Sequence, residues 1–207
     1  DNFLALEPVI SNNREIGLEY ERGALKASAS YFWSSSDLGS VLVLDRDGIY
    51  NVSRQPIRIE GLEASLAWQT PVPGLMLSSG YAHIRGETDA DDDGNVDEDL
   101  DGANISPDRL NLAADYTSGP LSLRLQGRFY LARNFSDQPA SARFEGYELF
   151  DAYIAYRTSL GEFALAAQNL TDRFYITYDS DTVRTSDNTR FYAGRGRSFT
   201  VSWRGEF

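Results

Sequence analysis

"SFTVSWRGEF" (Ser198–Phe207) closes the chain. Phe199, Val201 and Trp203 alternate with Thr200, Ser202 and Arg204, the period of a half-buried β-strand. The segment stops on an aromatic residue, where chain ends are usually frayed and polar. The same period recurs upstream, and nine strands are expected at 13–22, 24–45, 49–70, 75–88, 105–118, 120–133, 145–159, 161–178 and 190–207. No segment carries a convincing helical stripe. The expected fold is all-β and antiparallel.

The connections between these runs alternate in kind. Arg22-Gly23, Thr70–Gly74, Ser118–Pro120 and Leu160-Gly161 are short, whereas Thr88–Asn104, Asn134–Phe144 and Asp179–Thr189 are mostly polar and long. Asp47-Gly48 reads as another tight turn, at the tip of two runs long enough to project beyond a membrane. Short periplasmic turns at one end and long extracellular loops at the other are the asymmetry of an outer-membrane barrel. A soluble antiparallel sandwich, the alternative on composition, has no reason to sort its connections this way.

Aromatic residues give an independent indication. Tyr20, Trp68, Tyr116 and Tyr156 each come shortly before a short turn, and Trp203 takes the same place near the chain end. Tyr31, Trp33, Tyr81 and Phe129 form a second row. Two rows of amphipathic rings mark the two membrane–water interfaces. Between them, on one parity, lie aliphatic or small residues such as Leu62, Ala64, Leu66, Leu110, Leu112 and Ala114. The opposite parity carries Glu15, Glu19, Lys26, Glu63, Arg109, Asp115, Arg124 and Arg128, too many charges for a dry core. That face reads as the wall of a watery or plugged lumen.

Composition narrows the function. The net charge of -12 argues against nucleic acid as a partner, since phosphates need a basic surface. Asp89–Asp101 alone holds eight of the 31 acidic residues and no basic one, so the acidity belongs mainly to one loop. Cysteine is absent, which removes disulfides and thiolate chemistry. No apolar run approaches the roughly 20 residues of a membrane-spanning helix. His83, the only histidine, falls on the lipid-facing parity near the outer girdle, where a general base would meet no substrate proton. Gly194–Arg197 ("GRGR") lacks the Lys-Ser/Thr of a phosphate-binding loop and precedes a strand instead of a helix. No enzyme activity and no resident cofactor are expected.

Four segments then carry a resemblance. "NVSRQPIRIEGLEASLAW" (Asn51–Trp68), "ISPDRLNLAADY" (Ile105–Tyr116), "QNLTDRFYITY" (Gln168–Tyr178) and "YAGRGRSFTVSWRGEF" (Tyr192–Phe207) resemble, in order, the carboxy-terminal barrel of TonB-dependent outer-membrane receptors. The resemblance implies that Phe199, Val201, Trp203 and Phe207 form the signal read by the barrel-assembly machinery. Gly205 departs from that pattern by lacking a side chain. It also implies a larger barrel: the family has about 22 strands around an amino-terminal plug that pairs with TonB. Nine strands, an odd number, fit its carboxy-terminal part, with the plug and earlier strands lying outside this chain. The implied function is TonB-dependent uptake of a scarce nutrient at the bacterial outer membrane. A ferric siderophore is expected first, with vitamin B12 or a glycan as alternatives. Outer-membrane lipid and lipopolysaccharide would surround the wall. A passive porin or structural barrel, and a soluble calcium-binding β-domain, are the competing functions.

Two sets of site residues follow. Arg109, Arg124, Arg128, Arg195 and Arg197, if they face the lumen, would attract an anionic chelate; their ordinary role would be pairing with Glu63, Asp115 and Asp151. In "DADDDGNVDEDLDG" (Asp89–Gly102), Asp89, Asp91, Asp93, Asn95 and Asp97 follow the order of an EF-hand loop, with Gly94 at the sharp turn. Leu100 stands where that loop needs a bidentate Glu, and Asp99 or Asp101 is the expected substitute. The expectation is a weak Ca²⁺ site, against a plain solvated acidic loop.

Overall fold

The computed structural model describes residues 8–44, 49–100, 102–134, 143–182 and 192–205. The Asp47-Gly48 turn, Asp101 and the terminal Phe207 lie outside these. The strands are β1 (Asn12–Arg22), β2 (Leu25–Leu44), β3 (Tyr50–Gln69), β4 (Leu75–Thr88), β5 (Glu98–Asp99), β6 (Arg109–Ser118), β7 (Leu121–Tyr130), β8 (Tyr147–Thr158), β9 (Gly161–Gln168) and β10 (Ser198–Arg204). One short helix, α1 (Tyr178–Thr182), precedes β10. They form a single antiparallel sheet in the order β1-β2-β3-β4-β6-β7-β8-β9-β10, with β5 paired to β4 alone.

All nine expected strands are present, and the differences lie at the loop end. Ser106-Pro107 precedes β6, and a proline cannot donate to a ladder, so pairing begins at Arg109 and not at 105. The strand expected over 161–178 stops at Gln168, because Asn169 takes a left-handed conformation (φ 51°) and turns the chain. Beyond it lies α1, a single helical turn that the period-two reading missed. The strand expected from 190 begins only at Ser198. Before that, the Arg197 N–H and the Arg195 carbonyl are engaged by the side chains of Asp172 and Asn169.

Register confirms the two faces. Tyr156, Phe163 and Trp203 lie side by side across β8, β9 and β10. Trp203 also pins the neighbouring short turn, its indole N–H donating to the Leu160 carbonyl at 3.0 Å. At the other end Tyr31 packs on Trp33 (5.6 Å between ring centres), and Phe129 meets Phe150 edge-on at 5.7 Å. The aliphatic residues between these rows are open to the surroundings, with Leu18 71% and Val201 79% exposed. Among the described residues no second sheet covers this face, which excludes a sandwich.

β2 and β3 have 20 residues each, about twice the 9–11 needed to cross a bilayer, so they extend past the aromatic row. Above that row the polarity inverts. Arg58, Arg85 and Glu87 form ion pairs on the outward face. On the inward face Val41, Leu100 and Ile105 are buried with Ile57, Ile59 and Ile84. An apolar face cannot stay uncovered in water, and here the loop between β4 and β6 covers it. β1 and β10 are the two ends of the sheet and do not pair with each other, leaving it open.

Candidate functional site

The inward wall is built by strand alternation. Glu15, Glu19, Ser28, Glu63, Arg109 and Asn111 surround one polar hollow of about 660 Å³. Further along the wall, Arg124 pairs with Asp115 at 3.2 Å and Arg128 with Asp151 at 2.8 Å, two of the expected pairings. The Arg124–Asp115 pair is exposed enough that it is worth no more than about 1 kcal/mol. It sets the charge pattern of the wall more than its stability. Arg128 is better enclosed, and its Nε is buried without a partner.

Asp151 joins this wall to the loops. One carboxylate oxygen accepts from Arg128 and the other from the Asn169 N–H at 2.9 Å. The Asn169 side chain is buried and works in both directions. Its Oδ1 accepts from the Arg173 N–H (2.9 Å), while its Nδ2 donates to the carbonyls of Arg173 (2.9 Å) and Arg195 (3.2 Å). Asp172 accepts from the Arg197 N–H at 2.9 Å, and its carboxylate lies 3.8 Å from the guanidinium. Arg195 and Arg197 therefore stand in the knot that delivers the chain to β10, ahead of the strand itself.

Three loops meet above the wall. Phe144 is 1% exposed and stands edge-on to both Tyr178 (4.9 Å) and Tyr147 (5.7 Å). Tyr147 in turn stacks between Tyr130 and Tyr175, each at 4.5 Å. The Tyr178 hydroxyl donates to the Ile105 carbonyl at 2.7 Å, fixing α1 on the β4–β6 loop. Gly102 makes that approach feasible: a Cβ there would overlap the Thr182 side chain. The Asn104 carboxamide bonds both the N–H and the carbonyl of Leu42, pairing with β2 as a strand residue would. Sequence alternation does not reveal this aromatic clasp, because it places Tyr175 and Tyr178 in the strand expected over 161–178.

The acidic loop is ordered by its own backbone. Asp89 accepts from the N–H groups of Asp93 and Gly94, at 3.1 Å each. Asp92 and Gly94 adopt positive φ. Carboxylate oxygens of Asp89, Asp91 and Glu98 lie within 4.8 Å of one another. Glu98 is not a residue that EF-hand spacing singles out. Asp93 instead turns its carboxylate to the backbone and side-chain N–H groups of Asn95.

On the outward face His83 Nδ1 lies 2.8 Å from Asp108, which also accepts from the Tyr81 hydroxyl at 3.1 Å. This polar group sits in the outer aromatic row, where the sequence placed His83, and it ties β4 to the start of β6.

A sheet apolar outside, charged inside and roofed by loops at one end defines a piece of a transmembrane-type β-barrel wall. The chain belongs to the TonB dependent receptor-like β-barrel family, whose model matches residues 2–170. Similar solved structures include the copper transporter OprC (TM-score 0.76, 19% identity, 96% of this chain and 31% of that one). The ferric-catecholate import receptor Fiu from K12 E. coli, in its closed form, gives 0.66 at 23% identity, over 97% of this chain and 28% of that one. The FrpB iron transporter from Neisseria meningitidis (F5-1 variant) gives 0.72 at 16%, over 95% and 31%. At these identities the likeness carries the fold. The chain spans about three tenths of their length.

Proposed function

We propose that this chain is the carboxy-terminal part of the barrel of an outer-membrane, TonB-dependent receptor that imports a scarce nutrient, a ferric siderophore before any other. What carries the reading is a charged inward wall continuous with three interlocked outer loops, in a chain of this family. Arg109, Arg124 and Arg128 would draw an anionic chelate along the wall. The plug, the TonB contact and the remaining strands would come from outside this chain. Phe199, Val201, Trp203 and Phe207 would serve the assembly machinery. Phospholipid and lipopolysaccharide would bathe the outward face.

The test is uptake. Deleting the gene should abolish TonB-dependent accumulation of a radiolabelled ferric siderophore under iron limitation, and the wild-type gene should restore it. Unchanged uptake of a panel of siderophores would defeat the substrate assignment. Constitutive ion conductance by the full-length protein in planar bilayers would favour the passive porin instead.

For the acidic loop we propose a weak Ca²⁺ site, with Asp89, Asp91 and Glu98 as its nearest grouped ligands. Asp93, Asn95 and Asp97 would join only if the loop rearranged. Affinity should fall in the roughly 10⁻⁴–10⁻³ M range of extracellular modules. A fluorescent reporter in the loop of the full-length protein should show saturation with millimolar Ca²⁺, lost in Asp91→Asn with Glu98→Gln. A response unaltered by those changes would refute the ligand set.

A further inference from the structure

We propose that the bilayer-facing wall carries a groove that retains one acyl chain of a periplasmic-leaflet phospholipid. It rests on the outer-membrane reading above but not on any transported substrate. A barrel wall of uniformly large side chains is convex and gives a lipid tail nothing to settle into. Here the cross-strand row Ser79–Leu112–Gly127 is small at both ends, and the small Ala114 lies two residues along β6 from Leu112 on the same face. Around them a hollow of about 640 Å³ is lined by Leu66, Trp68, Leu112, Leu125, Phe129 and Phe150, all outward-facing by register. A smaller hollow of about 300 Å³ shares Ala114 and Leu125 with it and continues toward Tyr116 and Leu123.

The groove is preformed. A Cβ on Gly127 would come within 3.0 Å of Phe129 and 3.3 Å of Phe150, so these rings already lie over the bare glycine. Their edge-on contact holds them there and roofs the outer end of the trough. From Phe129 to Leu123 is six residues along β7, about 20 Å of strand, which a barrel tilt of roughly 40° turns into about 15 Å of depth.

The occupant follows from chemistry and from the direction of opening. Apart from the Ser79 hydroxyl and the polar tips of Trp68 and Tyr116, the outward side chains around the groove are apolar, which suits hydrocarbon and gives a protein partner few polar groups by which to be recognised. The trough is also continuous with the surface that the bilayer covers. Its closed end is the Phe129–Phe150 roof, and its open end lies toward Tyr116 near the short turns. An aromatic ring with a polar tip suits that interfacial position, with the headgroup beside it. The tail therefore enters from the periplasmic leaflet. Filling the floor should evict it.

The test uses full-length protein extracted from its native outer membrane, washed in detergent and supplied with dipalmitoyl phosphatidylethanolamine, read by native mass spectrometry. One lipid per chain should survive washing that strips the annulus. Ser79→Leu and Ala114→Leu should each lower that bound fraction at least tenfold. Ala29→Leu, an equal enlargement on the same face outside the groove, should leave it unchanged. Equal retention in all four proteins, a graded series of lipids with no single retained one, or lipopolysaccharide held in place of phospholipid would each overturn the groove. A chain absent from the outer-membrane fraction would overturn the membrane reading and the groove with it. A membrane-resident chain with unaltered retention would overturn the groove alone.

Discussion

Replacing Asn169 with alanine should destabilise the full-length protein by about 2–4 kcal/mol, because two independent costs coincide. The first is hydrogen bonding. The buried amide meets one N–H and two carbonyls, from Arg173 and Arg195, and alanine meets none. A donor or acceptor left unpaired costs about 1–3 kcal/mol when water cannot replace the partner, and less where it can reach the backbone. The second is conformation. Asn169 sits at φ 51°, a region asparagine tolerates and alanine enters at a cost of about 1–2 kcal/mol. Asn169→Gly separates the two, since glycine accepts the backbone geometry but supplies no amide. The expected order of urea midpoints in detergent is wild type, then Gly, then Ala. Because Asn169 also holds the Arg195 carbonyl just before β10, both variants should assemble less protein into the membrane. Alanine and glycine variants within about 0.5 kcal/mol of wild type would show that the knot does not hold this end of the sheet.

What was legible in the sequence follows from how each feature is encoded. Strand faces are encoded by alternation, and a slip of one residue would turn every outward side chain inward. That is why the parity of Leu62, Leu66, Leu110 and Leu112 against Glu63, Arg109 and Asn111 survives intact in the register. The cross-wall pairs Arg124–Asp115 and Arg128–Asp151 were legible for the same reason. The loops carry no such period. The run from Asn169 to Tyr178 still alternates apolar residues at Phe174, Ile176 and Tyr178, so it imitates a strand. The left-handed residues Asn169 and Asp172, the first stabilised by its own side chain, reveal otherwise. Glu98 escaped notice because spacing within an acidic run does not reveal which carboxylates a folded loop brings together.

Phe144→Ala should give the largest change among the outer loops, although it should not register in global unfolding. The ring is the most enclosed large side chain among the described residues, and removing such a ring usually costs about 3–5 kcal/mol. Its neighbours, however, are Tyr130, Tyr147 and Tyr178, all in or beside the loops, so the loss falls on the docked state of those loops and not on the ladder. Docking and ladder can open separately, with local free energies well below the global one. At about 1.4 kcal/mol per factor of ten, a loss of 3 kcal/mol corresponds to roughly a hundredfold faster amide exchange in segments that open with the clasp. The amides to watch are Arg133, bonded to the Phe144 carbonyl at 2.9 Å, and Leu100, bonded to the Gly86 carbonyl at 2.8 Å. Leu100 reports at a distance, because its loop is tied to the aromatic cluster through the Tyr178–Ile105 hydrogen bond, the Gly102–Thr182 contact and the Arg133 guanidinium, which donates to the Ser106 carbonyl at 2.9 Å. Amides of β6 and β7 between Leu110 and Gly127 serve as the unaffected reference. If Arg133 speeds up while Leu100 does not, the loops are neighbours without being coupled. If both accelerate together, they undock as one unit, and a ligand bound to any one of these loops would then stiffen the whole mouth of the wall.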